Sequence, residues 1–227
     1  MSIRSRSDSA ASSSPNSSSP PGSASPILEL LVVFAVVFVL YQAARFVGLF
    51  AGLFVLTPPV SNNPLSIVTN IYAHTDLTHL LSNSLALVVF GWPVAQATTR
   101  VRFHAFFLAT GALAGISQVV LSSVLATMPV VGATATAVLG ASGAVFALLG
   151  YLVASNRLSV SLASFVDVPR WVTILVFVGL ATAVTLATAA PGVALVAHFT
   201  GLLLGLIAGR ARILAVGSGR GSKQPAT

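Results

Sequence analysis

Six long apolar runs constrain this chain before any motif does. They cover about residues 27–56, 77–97, 103–126, 139–154, 171–190 and 193–214. Hydrocarbon offers no partner to a backbone N–H or C=O, so a spanning segment must satisfy its own hydrogen bonds as a helix or within a closed barrel. Unbroken apolar runs near 20 residues fit helices rather than alternating barrel strands. The run 139–154 is short for a crossing. Pro58, Pro59 and Asn62-Asn63-Pro64 break the chain after the first run, Pro129 breaks it after the third, and Pro191-Gly192 makes a tight link between the last two. The expected fold is all-α: a polytopic membrane protein with a bundle of six transmembrane helices over 27–214.

Composition narrows the function classes. The 227 residues are 56% hydrophobic and 7% charged, with mean hydropathy +0.95, whereas soluble domains carry about a quarter charged residues. There is no cysteine, which excludes disulfides and thiolate metal sites. A net charge of +7 raises a nucleic-acid partner, but the cations flank apolar runs instead of gathering on one polar surface, which argues against one. Residues 1–26 are Ser/Pro-rich and bury too little apolar surface to order, so a disordered tail is expected there. The first apolar run starts too late and is too long for the core of a signal peptide. Residues 215–227 read as a flexible basic tail.

The cations set an orientation. Arg4 and Arg6 precede the first run, Arg100 and Arg102 join runs two and three, Arg157 and Arg170 join four and five, and Arg210, Arg212, Arg220 and Lys223 lie at the C-terminal end. The remaining connections have none, and the eleventh cation, Arg45, lies in the first run. By the positive-inside rule both termini are cytoplasmic and connections 1–2, 3–4 and 5–6 are external. Runs two, four and six then all descend from the external side.

Strongly polar groups inside spans are costly, so they mark candidate sites. Here they are His79 and Asn83 in run two, Ser142 in run four and His198 in run six. Each lies within a turn or two of the start of its run, at about 1.5 Å per residue, so all four share one layer near the external surface. Ser142 sits in Gly140-Ala141-Ser142-Gly143, and Gly143, Ala147 and Gly150 continue a small-residue stripe. His198 shares a helix face with Gly201 and Gly205. Small stripes let helices approach closely in lipid. Docking these two brings His198 toward Ser142; packing alone, or a homodimer face, is the competing use of such stripes.

A serine hydroxyl becomes a nucleophile when a base takes its proton, and neutral imidazole suits that task near pH 7. The four carboxylates are Asp8, Glu29, Asp76 and Asp167. Asp8 and Asp167 fall on the cytoplasmic side, Glu29 lies at the wrong end of run one, and Asp76 has the position of an N-cap. The reading is therefore a Ser142–His198 dyad, with Phe146 one turn on from Ser142 placed to pack against the imidazole. His79 and Asn83, four apart on one face, together with the Ser142 backbone N–H, are candidates for an oxyanion hole. His74 falls in the preceding loop as a supporting residue. A zinc site of His74, His79 and His198 is the alternative, but it lacks an i, i+4 histidine pair and an acidic partner. No metal and no cofactor are expected.

At these residues the chain resembles the rhomboid intramembrane serine proteases. His74-x4-His79-x3-Asn83, Gly140-Ala141-Ser142-Gly143, and Ala197-His198 followed by Gly201 and Gly205 are similar to that family's motifs on helices two, four and six. The resemblance covers about residues 27–214. It implies Ser142 as nucleophile, His198 as general base, and His79, Asn83 and backbone N–H at the oxyanion. It also implies transmembrane proteins as substrates, cleaved at small residues near the outer surface of a cell membrane, with no cofactor. Entry between spans two and five, under a lid at 189–192, is expected. Two departures stand out. The 1–2 connection reads as short and lacks the family's Trp-Arg pair, since the tryptophans are Trp92 and Trp171. Phe146 occupies a position that is often tyrosine. The other readings are a non-catalytic rhomboid-like protein that holds membrane clients and a small transporter; the latter would carry an internal repeat and broken helices, neither of which is evident.

Overall fold

The first apolar run is not one helix. A computed structural model of the chain describes residues 25–127, 137–155, 169–190 and 192–215. The expectations for the two tails fall almost wholly outside these residues, as do those for Pro129, Arg157, Asp167 and Pro191. Helix α1 spans Ser25–Phe46, so it begins two residues before the expected start, with Pro26 in its first turn, where a missing N–H costs nothing. It ends where Gly48 takes a left-handed φ of 76°. Gly48 N–H donates to the Arg45 carbonyl at 3.2 Å and Leu49 N–H reaches back to Ala44 at 2.8 Å. That is a Schellman stop. Hydropathy alone hides it, because apolar residues continue to Leu56.

This corrects the first connection. It runs over 47–76 and is not short. It holds α2 (Phe50–Phe54), a single 3₁₀ turn at Val60–Asn62 and α3 (Ser66–Tyr72). The remaining helices follow the runs: α4 Leu77–Gln96, α5 Arg100–Leu125, α6 Ser142–Ser155, α7 Arg170–Ala187 and α8 Leu195–Arg210. Asp76 caps α4, with its carboxylate accepting from His79 N–H. Within α4 the turn Leu87–Gly91 widens to π geometry just before Pro93, which cannot donate to the helix ladder. By length and composition α1, α4 and α5 can each cross a membrane; α6, α7 and α8 are shorter apolar helices. The protein is a helical membrane protein, and among the described residues the β-structure is one isolated bridge, Leu56 with Val138.

Helix α6 is the centre. Gly143, Ala144, Val145, Ala147, Leu148, Gly150 and Tyr151 are all buried, and Leu148 joins Phe34, Leu87, Phe103 and Phe107 in the main core cluster. Helices α6 and α8 pack backbone to backbone. A methyl group added at Gly201 would strike the Gly143 carbonyl, one at Gly205 the Ala147 carbonyl, and one at Gly209 the Tyr151 backbone. The contact advances four residues on each helix in the same direction, so the two helices run parallel and in register. The small stripes therefore serve this packing within one chain. Helix α7 lies outside, packed principally on α8 through Phe177, Ala181 and Val184. Its Ile174, Leu175 and Leu186 are exposed, as are Val32, Val36 and Val39 of α1, the pattern of faces that meet lipid.

The two ends of the bundle differ. At one end Arg100 Nε and His104 Nε2 meet Glu29 at 2.9 Å and 2.8 Å, and Arg102 donates to the Ala215 carbonyl at 3.1 Å. This joins the starts of α1 and α5 to the chain after α8. At the other end the first turns of α4, α6 and α8 surround one cavity.

Candidate active site

The cavity is about 490 Å³ and is lined by His79, Ser82, Asn83 and Phe90 of α4, the approach 137–139 with Ser142 and Phe146, residues 192–194, and His198. Three helices thus bring the four expected polar residues together. Ser142 is the first residue of α6. The helix starts there and not at Leu139, because Gly140 has φ of 130°, a conformation open to glycine but not to helix. The approach to the serine is held from the first connection. Leu56 and Val138 exchange backbone hydrogen bonds at 3.0 Å and 2.9 Å, and Gly140 N–H donates to the Asn70 carbonyl at 2.9 Å. Ser142 lies at a helix N-terminus, where N–H groups lack intrahelical partners and the dipole favours negative charge.

Gly140 also makes room for His79. A Cβ there would lie 2.8 Å from the His79 Cε1 and Nε2, so the ring edge rests on the glycine two residues before the serine. On the other side of the ring, Nδ1 lies 3.2 Å from the Thr75 hydroxyl. Asn83 is buried, and its amide donates to the His79 carbonyl at 3.1 Å. That leaves one amide N–H for the cavity. His74 is fully buried between Phe34 and His79, with ring centroids at 4.9 Å and 5.0 Å. Burial first, and then the neighbouring His79, lowers its pKa to about 4, so it is a neutral packing group near pH 7. Among the described residues no group of histidines and carboxylates is arranged to hold a metal ion.

His198 is buried and stacks on Phe146, with centroids 4.1 Å apart and planes at 17°. Its Nδ1 lies 3.4 Å from the Thr188 hydroxyl. That hydroxyl already donates to the Val184 and Thr185 carbonyls at 3.0 Å and 3.1 Å, so toward the ring it offers a lone pair. An Nδ1–H ring would complete that pair and leave Nε2 as the basic nitrogen. Among the described residues no hydrogen bond joins the Ser142 hydroxyl to the imidazole. Thr188 and Gln118 were not singled out by sequence. Gln118, buried in α5, accepts from the Ala197 N–H at 3.1 Å and so caps an otherwise unpaired donor in the first turn of α8, next to His198. A glutamine inside an apolar run carried the same polar signal as Asn83.

The fold and the cavity define a class: a helical membrane protein with a serine, two histidines and an asparagine meeting at one end of its bundle. The rhomboid-domain family model matches residues 61–214, well over half of the chain, and the chain belongs to the rhomboid family, whose members are in general intramembrane proteases. None of the curated proteins matches it.

Proposed function

We propose that this rhomboid is an intramembrane serine endopeptidase that cleaves single-span membrane proteins near the external surface, with Ser142 as nucleophile and His198 as general base. One observation carries the reading: Ser142 at the start of α6 and His198, stacked on Phe146, line the same cavity. Six spans, with both termini cytoplasmic and the cavity opening outward, complete it. A substrate helix enters laterally between α4 and α7 and unwinds at its outer end, which frees a carbonyl from its helical hydrogen bond. The Ser142 oxygen attacks that carbon while His198 Nε2 takes the hydroxyl proton. The oxyanion forms beside the Ser142 N–H, the free N–H of Asn83 and His79. His198 returns the proton to the leaving amine, and water admitted past residues 192–194 hydrolyses the acyl-enzyme. Gly140, Gly143 and Gly201 serve by absence of side chain, the first toward His79 and the others in the α6–α8 contact.

The test is labelling of the detergent-purified protein by a fluorophosphonate. Wild type should label, and Ser142→Ala and His198→Ala should not. Asn83→Ala should lose about 10-fold or more of the cleavage rate, the scale of a lost oxyanion donor. The alternative, a rhomboid that holds clients without cutting them, draws on the missing Ser142–His198 hydrogen bond. It would be favoured by a folded wild type that never labels. Catalytic hydrogen bonds are often long before substrate arrives, and for that reason the protease reading stands first.

A further inference from the structure

The Asp76 carboxylate has two partners at the start of α4. One oxygen accepts from His79 N–H at 2.9 Å and the other from the Thr75 hydroxyl at 2.7 Å. These bonds, the His79 N–H first, hold its carboxyl below the usual range, so it is ionised and can only accept. The one proton of the Thr75 hydroxyl is therefore committed to Asp76. Its oxygen, 3.2 Å from His79 Nδ1, can only accept in turn, so Nδ1 must donate. The Thr75 backbone is fastened from α1, where Gln42 Nε2 and Arg45 Nη1 donate to its carbonyl at 3.2 Å and 3.4 Å. Opposite, the ring rests on Gly140, which prevents it from swinging away.

We infer that Thr75 and Asp76 are positioning residues that fix His79 as its Nδ1–H tautomer. Neutral His79 then has a bare Nε2, on the edge that rests against Gly140, and accepts there instead of donating. The groups facing the ring are Asp76 on its own helix, His74 from the preceding loop, Arg45 of α1 through the Thr75 carbonyl, and His198 of α8 across the cavity. The catalytic consequence rests on the protease reading; the tautomer does not. On that reading the neutral ring leaves oxyanion donation to the Ser142 and Asn83 N–H groups.

The chain has only four histidines, so ring nitrogens are assignable by NMR of the ¹⁵N-histidine protein, with His79→Gln identifying one set. At alkaline pH wild-type His79 should carry its proton on Nδ1, and so should Thr75→Ser. Thr75→Val removes the acceptor and should move the proton to Nε2. Asp76→Asn should do the same while keeping the cap, because its amide donates to Thr75 and frees the hydroxyl to donate to Nδ1. An Nε2–H ring in wild type, or a tautomer unchanged by both variants, would overturn the assignment. Failure of wild type to label with fluorophosphonate would overturn the protease reading and leave the tautomer result untouched.

Discussion

Gly140 is where one residue has two separate reasons to be glycine. Its φ of 130° belongs to a region that other residues enter at a cost of about 1–3 kcal/mol, and its missing side chain leaves room for the His79 ring. Gly140→Ala should therefore reduce fluorophosphonate labelling more than 10-fold, with a lowered thermal midpoint. Normal labelling would show that the approach to Ser142 tolerates rearrangement. His74 makes a pH prediction. The unfolded imidazole takes its proton near 6.5, the buried one near 4. Between these values the unfolded chain binds more protons, so this contribution is complete above about pH 6.5 and is lost as pH falls toward 4. The thermal midpoint should drop across that window in wild type and drop less in His74→Leu; equal drops would sink the idea. Ser142, His198, His79 and Asn83 were legible because polar groups stand out in apolar runs. Thr75 and Thr188 were not, because threonine is ordinary at helix ends and its role depends on where its proton goes.

At the scale of elements, the α6–α8 contact is the most constrained packing in the molecule. Lipid provides no hydrophobic drive between helices, so close backbone approach must hold them together. Gly201→Ala and Gly205→Ala each place a methyl against a carbonyl, and the helices must separate. A loss of about 1–3 kcal/mol is expected from such overpacking, read as a lower thermal midpoint and a fall in labelling as His198 leaves Ser142. Gly179, where an added methyl meets nothing within 4 Å, is the control, and Gly179→Ala should be near neutral. If Gly201→Ala matched it, the stripe would not be holding the site. The stripes and their docking were legible from helical spacing. The end of α1 was not. A glycine inside a continuing apolar run does not reveal a left-handed φ, and the first connection was consequently read as short.

Over the whole molecule, the two ends predict a sidedness. The Glu29–Arg100–His104 cluster and the arginines near the end of α8 should lie in the cytoplasm, and the first connection with the cavity outside. The chain has no cysteine, so single cysteines report without background. Leu65→Cys, in that connection, should react with a membrane-impermeant maleimide on intact cells, and Arg212→Cys only after permeabilisation. The reverse pattern would invert the proposed orientation.

Sequence alone was enough for the helical class, the places of most helices, the small-residue stripes and the four polar positions, because lipid penalises every unpaired backbone group and every stray polar side chain. Those penalties act locally and leave their mark residue by residue. Which segment of the first connection holds the approach to Ser142, which hydroxyls stand beside His79 and His198, and which glutamine caps the helix of His198 were decided only by tertiary structure. Each depends on a hydrogen bond between residues far apart in the chain or on a hydroxyl already engaged elsewhere, and the direction of such a bond is settled only once all its partners are in place.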